Sequence, residues 1–254
     1  MYFSKKFNEF GNVKHCFFSK KGGISKNIYS SLNCGLGSND KESNVLGNLA
    51  IVSEKIGVSK NNLFAMNQTH SNKIVTINEN NRNIQRINSD ALITKIRNIA
   101  ISVVTADCVP ILIYEEINHI VACIHAGWKG AVNGIIKNTL KEIVNMGKNN
   151  KIHVAVGPCI GVKNYEVGKE FFNKFIKEDK KNEIFFFHSQ KDKFLFDLRS
   201  YVNFKIKEFD VQHLENMDFD TYEEKENFFS FRRSSHLGEK DYGRCISAIR
   251  LIDA

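Results

Sequence analysis

Proline and tryptophan are scarce in this sequence, which has two prolines and one tryptophan among 254 residues. It also has no low-complexity tract and no repeat at a solenoid period. These absences argue against a long linker and against a repeat architecture. Because 42% of the residues are apolar and twenty are phenylalanine, the chain can bury a sizeable core as one large domain or two small ones.

Long apolar runs are absent as well. No run approaches the ~18 apolar residues of a membrane-spanning helix, and the first residues lack the apolar core of a signal peptide. No two of the six cysteines form a Cys-x-x-Cys pair; they are Cys16, Cys34, Cys108, Cys123, Cys159 and Cys245. Scattered cysteines without a secretion signal are typical of a reduced protein, so we expect a cytoplasmic location.

The net charge of +8 comes from 36 Lys and Arg against 28 Asp and Glu. Such a surplus suits an anionic ligand. The basic residues are spread along the chain, however, and no basic block is interleaved with aromatic residues as on nucleic-acid-binding surfaces. We therefore expect neither nucleic acid nor a membrane as a partner.

Apolar patterns predict strands that often follow one another across short turns. Residues 13–18, 63–66, 74–77, 99–104, 109–114, 119–125, 152–156 and 246–252 are predicted strands, and so are residues 228–233. Helices are predicted at residues 42–56, 130–146, 168–178 and 198–209. The apolar stripe of the second helix comprises Val132, Ile135, Ile136, Leu140, Ile143 and Val144. This order favours mixed sheets with helices outside them, in an α/β or α+β fold.

Reactive side chains stand at the ends of three of the predicted strands. Thr-Ala-Asp-Cys-Val-Pro occupies residues 105–110, His-Ala-Gly-Trp-Lys-Gly residues 125–130, and Gln-Thr-His-Ser residues 68–71. Thiolate and imidazole suit Zn²⁺, and three protein ligands leave one open position, the pattern of catalytic zinc. His70, Cys108 and His125 are therefore candidate metal ligands. Their spacing matches no short zinc signature, so a buried cysteine and two ordinary histidines are the alternative.

A second chemistry for the same residues needs no metal. Cys108 could act as a nucleophile with His125 as its base, as in cysteine hydrolases. Asp107 could orient or polarise either arrangement, or serve only as a turn residue that bonds its own backbone. All four residues, His70 included, are candidate catalytic residues.

Basic and polar residues in glycine-rich turns are candidate contacts for a nucleoside or for phosphate. The turn at residues 127–130 leads into a helix, whose first N–H groups favour anions, although a tight strand-to-helix turn is an equal explanation. Arginine forks bind phosphate bidentately, and a tryptophan can stack on a base or pack in the core. The candidates are Lys20, Asn33, Trp128, Lys129, Arg232, Arg233 and Arg244.

An ordered series of blocks over most of the chain resembles the YfiH/YlmD-type family, also called the laccase-domain or polyphenol-oxidase-like family. The blocks are Gly-Gly-Ile-Ser at 22–25, Ser-Leu-Asn-Cys-Gly at 31–35, Gln-Thr-His at 68–70, Asp-Ala-Leu at 90–92, Ala-Asp-Cys-Val-Pro at 106–110, His-Ala-Gly-Trp-Lys-Gly at 125–130, Gly-Pro-Cys-Ile at 157–160, Phe-Phe-Ser-Phe-Arg-Arg at 228–233 and Gly-Arg at 243–244. The chain departs from the family pattern near Asp220 and Thr221, where a cysteine is common.

The resemblance implies a YfiH-like single domain over residues 1–254, with mixed α/β sheets, surrounding helices and a zinc held by His70, Cys108 and His125. It implies phosphorolysis of adenosine, inosine, guanosine and S-methyl-5′-thioadenosine, and deamination of adenosine. Purine nucleosides and phosphate are then the expected partners of a monomer. The laccase label implies copper, which we do not expect, because copper oxidases need several His-rich sites.

Two rival functions use the same residues. Some relatives are suggested to act on cell-wall precursors, which would fit the Cys108–His125 cysteine hydrolase. A non-enzymatic, zinc-stabilised nucleotide-binding module would close the metal with a fourth protein ligand, for which Cys123 and Asp107 are nearest in sequence. Cys123 lies two residues before His125 on one predicted strand, so both side chains face the same side.

Overall fold

A computed structural model of the chain describes residues 1–82 and 86–253. Its strands are β1 (Val13–Phe17), β2 (Leu63–Asn67), β3 (Ile74–Ile77), β4 (Ile87–Asn88), β5 (Ala91–Thr94), β6 (Ala100–Thr105), β7 (Val109–Glu115), β8 (Ile120–Ala126), β9 (Ile152–Val156), β10 (Glu166–Gly168), β11 (Phe186–Gln190), β12 (Lys193–Phe196), β13 (His213–Asn216) and β14 (Cys245–Leu251). Its α-helices are α1 (Glu42–Ile56), α2 (Trp128–Val132), α3 (Ile135–Met146), α4 (Lys169–Glu178), α5 (Leu198–Ile206) and α6 (Phe231–His236).

The strands form two large mixed sheets and one small sheet. The first has the order β1-β14-β6-β2-β4, and the second has the order β13-β9-β7-β8-β5-β3. Each contains both parallel pairs, such as β2 with β6 and β3 with β5, and antiparallel pairs, such as β7 with β8. The small sheet, β10-β12-β11, is antiparallel. The expectation of a mixed α/β fold is therefore confirmed.

The two large sheets pack face to face, and alternate side chains of their strands point into the layer between them. In β7, Leu112 and Tyr114 join residues of the other sheet, including Ile101 and Ile249, in one apolar layer between the sheets. The intervening β7 residues contact α3 and α5 on the outer face instead. On the outer face of the first sheet, α1 packs on apolar residues of β6 and β14. The result is a helix–sheet–sheet–helix arrangement, in which strand residues are buried on both faces.

Most predicted elements are present within one to three residues of their predicted bounds. Helix α1 ends where the sequence indicated, because Gly57 adopts the left-handed conformation with φ of 86° that favours glycine. The hydrophobic run at residues 152–156 is β9. Within the described residues, none of the helices is both long and apolar enough to cross a lipid bilayer.

Two predicted elements are wrong. The single helix at residues 130–146 is interrupted, because Gly134 adopts φ of 89° between α2 and α3. Val144 was placed in the apolar stripe but is 43% exposed. The predicted strand at residues 228–233 is a loop followed by α6, because the side chain of Ser230 accepts a hydrogen bond from the Arg233 N–H and begins a helix there.

Neighbouring residues of α3 allow a matched test of this packing. We expect Ile143→Ala to lower the free energy of unfolding by about 2–5 kcal/mol, because Ile143 is fully buried against the second sheet and its loss leaves a cavity. Val144→Ala should change it by less than about 0.5 kcal/mol. Denaturant unfolding measures both, and equal effects of the two substitutions would contradict the assigned helix orientation.

Candidate metal centre and cleft

Three side chains from separate elements converge at one edge of the two large sheets. His70 lies in the loop after β2, Cys108 lies in the link between β6 and β7, and His125 belongs to β8. Their potential ligand atoms all lie within 4.8 Å of one another. His125 is buried, Cys108 half-buried and His70 exposed, so the group is open to solvent on one side. The structure thus brings together the three candidate ligands.

The backbone around the group adopts unfavourable conformations. Strand β6 belongs to the first large sheet and β7 to the second, so the short link that carries Cys108 crosses between the layers. Asp107 has φ of 87° and His70 has φ of 56°, in the left-handed region that residues with a Cβ rarely adopt. Such strain persists where the surrounding contacts hold it, and it is common at functional sites.

The buried carboxylate of Asp90 supplies much of that support. Its Oδ1 accepts hydrogen bonds from His125 Nδ1 at 2.8 Å and from the His70 N–H at 3.0 Å. Its Oδ2 accepts from the backbone N–H and the hydroxyl of Ser71, both at 2.7 Å, and from the backbone and hydroxyl of Thr69. The Asp90 side chain therefore holds both the loop that carries His70 and the ring of His125. With Nδ1 occupied, His125 presents Nε2 to Cys108.

The ionisation of these groups follows from their contacts. Burial acts to raise the pKa of Asp90, but hydrogen bonds from His125 and Ser71 outweigh it and hold the pKa well below its usual value. Burial and the neighbouring His125 lower the pKa of His70, which favours the neutral imidazole that a metal needs. Burial acts to lower the pKa of His125, but Cys108 and Asp90 outweigh it and together raise the pKa to about 9.

Glycine at position 127 leaves room for the group. A Cβ there would lie 2.6 Å from His70 Nδ1 and 3.0 Å from Cys108 Sγ, so any side chain would displace two candidate ligands. Gly130, one turn later, lies against the Ser71 carbonyl, which a Cβ would approach to 2.8 Å. Helix α2 therefore packs directly on the loop that carries His70. The glycine turn has a packing role, and its predicted binding of an anion remains a prediction.

Neither suggested fourth ligand joins the group. Across residues 1–82 and 86–253, the cluster of close His, Cys, Asp and Glu atoms contains only the three residues named above. Cys123 is fully buried in the apolar layer between the sheets. The Asp107 carboxylate accepts hydrogen bonds from Thr221 Oγ1 and from the Arg232 N–H, both at 2.7 Å. The described residues thus form an open, three-ligand arrangement.

A cleft of about 760 Å³ opens above the group. Its wall includes the three candidate ligands and two of the predicted arginines, Arg232 and Arg244. The Arg232 guanidinium lies over Tyr165 and donates to the Glu166 carbonyl at 2.8 Å. Five aromatic residues also line the cleft: Trp128, Tyr165, Phe171, Phe231 and Tyr242. The cleft therefore combines apolar faces with a few fixed charged groups, as small-molecule sites do.

The other predicted contacts lie outside the cleft wall. The Arg233 guanidinium donates to three backbone carbonyls, those of residues 221, 222 and 228. Lys20 lies near the ring of Phe229, and the exposed Lys129 lies over Trp128. Asn33 is buried, and its Oδ1 accepts from the Arg244 N–H at 3.0 Å. Asn33 thus positions a cleft arginine, and direct substrate contacts of these residues remain predictions.

Comparison with known proteins agrees with the fold described above. The family model described as multi-copper polyphenol oxidoreductase laccase matches residues 14–252. The chain belongs to this laccase family. A Rickettsia conorii protein named purine nucleoside phosphorylase is 36% identical over 214 residues, which are 82% of this chain and 88% of that protein. A Haemophilus influenzae protein with the same name is 31% identical over 229 residues, 89% and 91% of the two chains.

A solved crystal structure shares the architecture. The crystal structure of Bacillus licheniformis hypothetical protein YfiH has a TM-score of 0.90 and 26% identity, and the match covers 98% of this chain and 95% of that one. The resemblance inferred from the sequence blocks is therefore confirmed.

Several residues of the site were missed in the sequence. Asp90 was noted only as part of a family block, and no role was assigned to it. Tyr165, Phe231 and Tyr242 line the cleft, but aromatic residues in such segments are usually read as core. Asp90 follows His70 by twenty residues, so no local sequence pattern indicates that the two belong to one site. Only the β3–β5 and β5–β8 strand pairings bring Asp90 beside His125.

We expect Asp90→Asn to weaken zinc binding by about 10- to 100-fold, since it removes the charge that orients His125 and the His70 loop. Competition with a chelating dye measures the affinity, and circular dichroism checks that the variant is folded. Asp179→Asn is the matched control, because this carboxylate caps a 3₁₀ turn elsewhere. Unchanged zinc affinity in folded Asp90→Asn would contradict the role given to Asp90.

Proposed function

We propose that this protein is a purine nucleoside phosphorylase whose reaction takes place beside His70, Cys108 and His125. The observation that carries the proposal is the open three-ligand group at the base of a 760 Å³ cleft. The names of the similar proteins from Rickettsia conorii and Haemophilus influenzae give the reaction class. The cleft has the size of ordinary small-molecule sites, which suits a nucleoside with phosphate beside it.

We propose zinc as the metal. One thiolate and two imidazoles suit zinc, and the glycine at position 127 leaves the space that the ligands need. The same donors also suit copper, but multi-copper oxidation needs several metal sites. Residues 1–82 and 86–253 contain one such group. When bound, zinc would supply a Lewis acid and lower the pKa of a water on its open position.

In phosphorolysis, the bond between the ribose C1′ and the base nitrogen breaks, and a C1′–O bond to phosphate forms. The base departs with a proton. Arg232 and Arg244 are the cleft residues that can hold the phosphate, because guanidinium groups bind its oxygens in pairs. The carbonyl of Glu166 and the ring of Tyr165 fix Arg232, and Asn33 fixes the backbone of Arg244. Fixed donors lower the cost of ordering the reactants.

The proposed substrates are adenosine, inosine, guanosine and S-methyl-5′-thioadenosine. A second proposed activity is deamination of adenosine, in which water replaces the C6 amino group and ammonia leaves. A proton must reach the leaving amine in that reaction, and the group is open to solvent on the side of the exposed His70. The direct catalytic role of Asp107 stays a proposal; its contacts with Thr221 and Arg232 position the link beside Cys108.

A cysteine hydrolase is the second candidate, because the site contains a chain of suitable contacts. Asp90 Oδ1 lies 2.8 Å from His125 Nδ1, and the same imidazole hydrogen-bonds Cys108. An acid, a base and a nucleophile in this order activate cysteine in hydrolases. The two candidates differ in the state of the thiol, since a zinc-bound Cys108 is not a free nucleophile.

We expect the zinc-loaded protein to release adenine from adenosine and hypoxanthine from inosine only when phosphate is present. A chelator should abolish the release, and added zinc should restore it. Separation of bases and ribose 1-phosphate by chromatography measures the reaction. Base release that persists after complete removal of metal would contradict the proposed site, and the absence of both base release and inosine formation would contradict the proposed function.

Cysteine variants test which thiol holds the metal. We expect Cys108→Ser to lose stoichiometric zinc and phosphorolysis together, because one of three ligands is gone. Cys123→Ala, two residues before His125 but buried in the apolar layer, should keep one zinc per chain. Metal analysis of the purified proteins measures the content. A wild-type protein without zinc whose Cys108 is alkylated rapidly would favour the hydrolase.

A further inference from the structure

The lining of the cleft combines aromatic rings with guanidinium groups. We call it the rim band and define it as Tyr165, Arg232, Phe231, Tyr242 and Arg244, all of which line the cleft. Arg232 Cζ lies 5.3 Å from the Tyr165 ring centre, and Arg244 Cζ lies 4.1 Å from the Tyr242 ring centre. Between them, the Phe231 and Tyr242 rings meet at 5.1 Å between centres, at 61°.

Phe231 is the member of the band with the least protein cover. Its side chain is 51% exposed, whereas the other aromatic residues of the cleft wall are half-buried. Trp128 packs on Phe171 with ring centres 4.7 Å apart and lies under Lys174. Exposed apolar area inside a concave site is typical of a surface that a ligand covers.

Hydrogen bonds hold the backbone that carries Phe231. It is the first residue of α6, and that helical turn is held at two points. Asp107 Oδ2 accepts a hydrogen bond from the Arg232 N–H at 2.7 Å, and Ser230 Oγ accepts from the Arg233 N–H at 3.1 Å. Because Asp107 directly precedes Cys108, the backbone of the first turn of α6 is connected to the candidate metal ligand through one residue.

We propose that Phe231, backed by Tyr242, is the surface on which the purine base stacks, so that it sets the affinity for nucleosides. This inference rests on the proposed function and assigns a residue to its substrate. Aromatic faces stack on bases regardless of their exocyclic groups. Ribose and phosphate offer no such face, and the two flanking arginines suit phosphate instead. Stacking on Phe231 therefore accepts adenine and hypoxanthine alike.

The test compares substitutions at Phe231 with one at Leu237, the exposed apolar residue that follows the same helix. We expect Phe231→Ala to raise the KM for adenosine and inosine by about 10- to 100-fold. The kcat and the KM for phosphate should change little, because stacking binds the substrate and the transition state equally. Phe231→Trp should restore the nucleoside KM to within a few-fold, and Leu237→Ala should leave all constants unchanged.

Unchanged KM values for nucleosides in Phe231→Ala would overturn the inference, and so would an equal rise in Leu237→Ala. The failure of the proposed function is a separate result: the wild-type protein would then show no phosphate-dependent base release. In that case, calorimetric titration with inosine still tests the stacking surface. A 10- to 100-fold weaker binding by Phe231→Ala supports it, and equal binding or no binding by the wild-type protein overturns it.

Discussion

The site depends on one buried carboxylate. Asp90 accepts hydrogen bonds from the ring of His125 and from three consecutive residues of the loop that carries His70. The charge is retained inside the protein because these donors surround it. A histidine ligand whose second nitrogen is held by a carboxylate is fixed in tautomer and orientation before any metal arrives. The remaining candidate ligand, Cys108, comes from the link between the two sheets.

That link joins the candidate metal centre to the wall of the cleft. Asp107 adopts a left-handed backbone conformation and directs its carboxylate to Thr221 and to the first turn of α6. Residues 228–233, which were predicted to form a strand, therefore lead into the capped helix α6. Its Arg232 faces the cleft, while the neighbouring Arg233 binds backbone carbonyls. The carboxylate of Asp107 thus connects the link beside the candidate ligand Cys108 to the first turn of α6.

Local patterns in the sequence predicted much of the fold. Buried runs such as β9 and the helix stop at Gly57 depend on their own residues, and both were found as expected. The break at Gly134 was missed because apolar periodicity continues through it. The helix at Phe231 was missed because its cap comes partly from Asp107, 124 residues earlier in the sequence. Long-range contacts override local preference in such segments.

The three candidate metal ligands, His70, Cys108 and His125, were all suggested by their places at strand ends, and the resemblance to a family supported the set. The direct test of the central claim is X-ray absorption at the zinc edge of the loaded, full-length protein. A shell with one sulfur at about 2.3 Å and nitrogen or oxygen donors at about 2.0–2.1 Å is expected. A spectrum without sulfur, or with two or more sulfur atoms, would contradict the ligand set His70, Cys108 and His125.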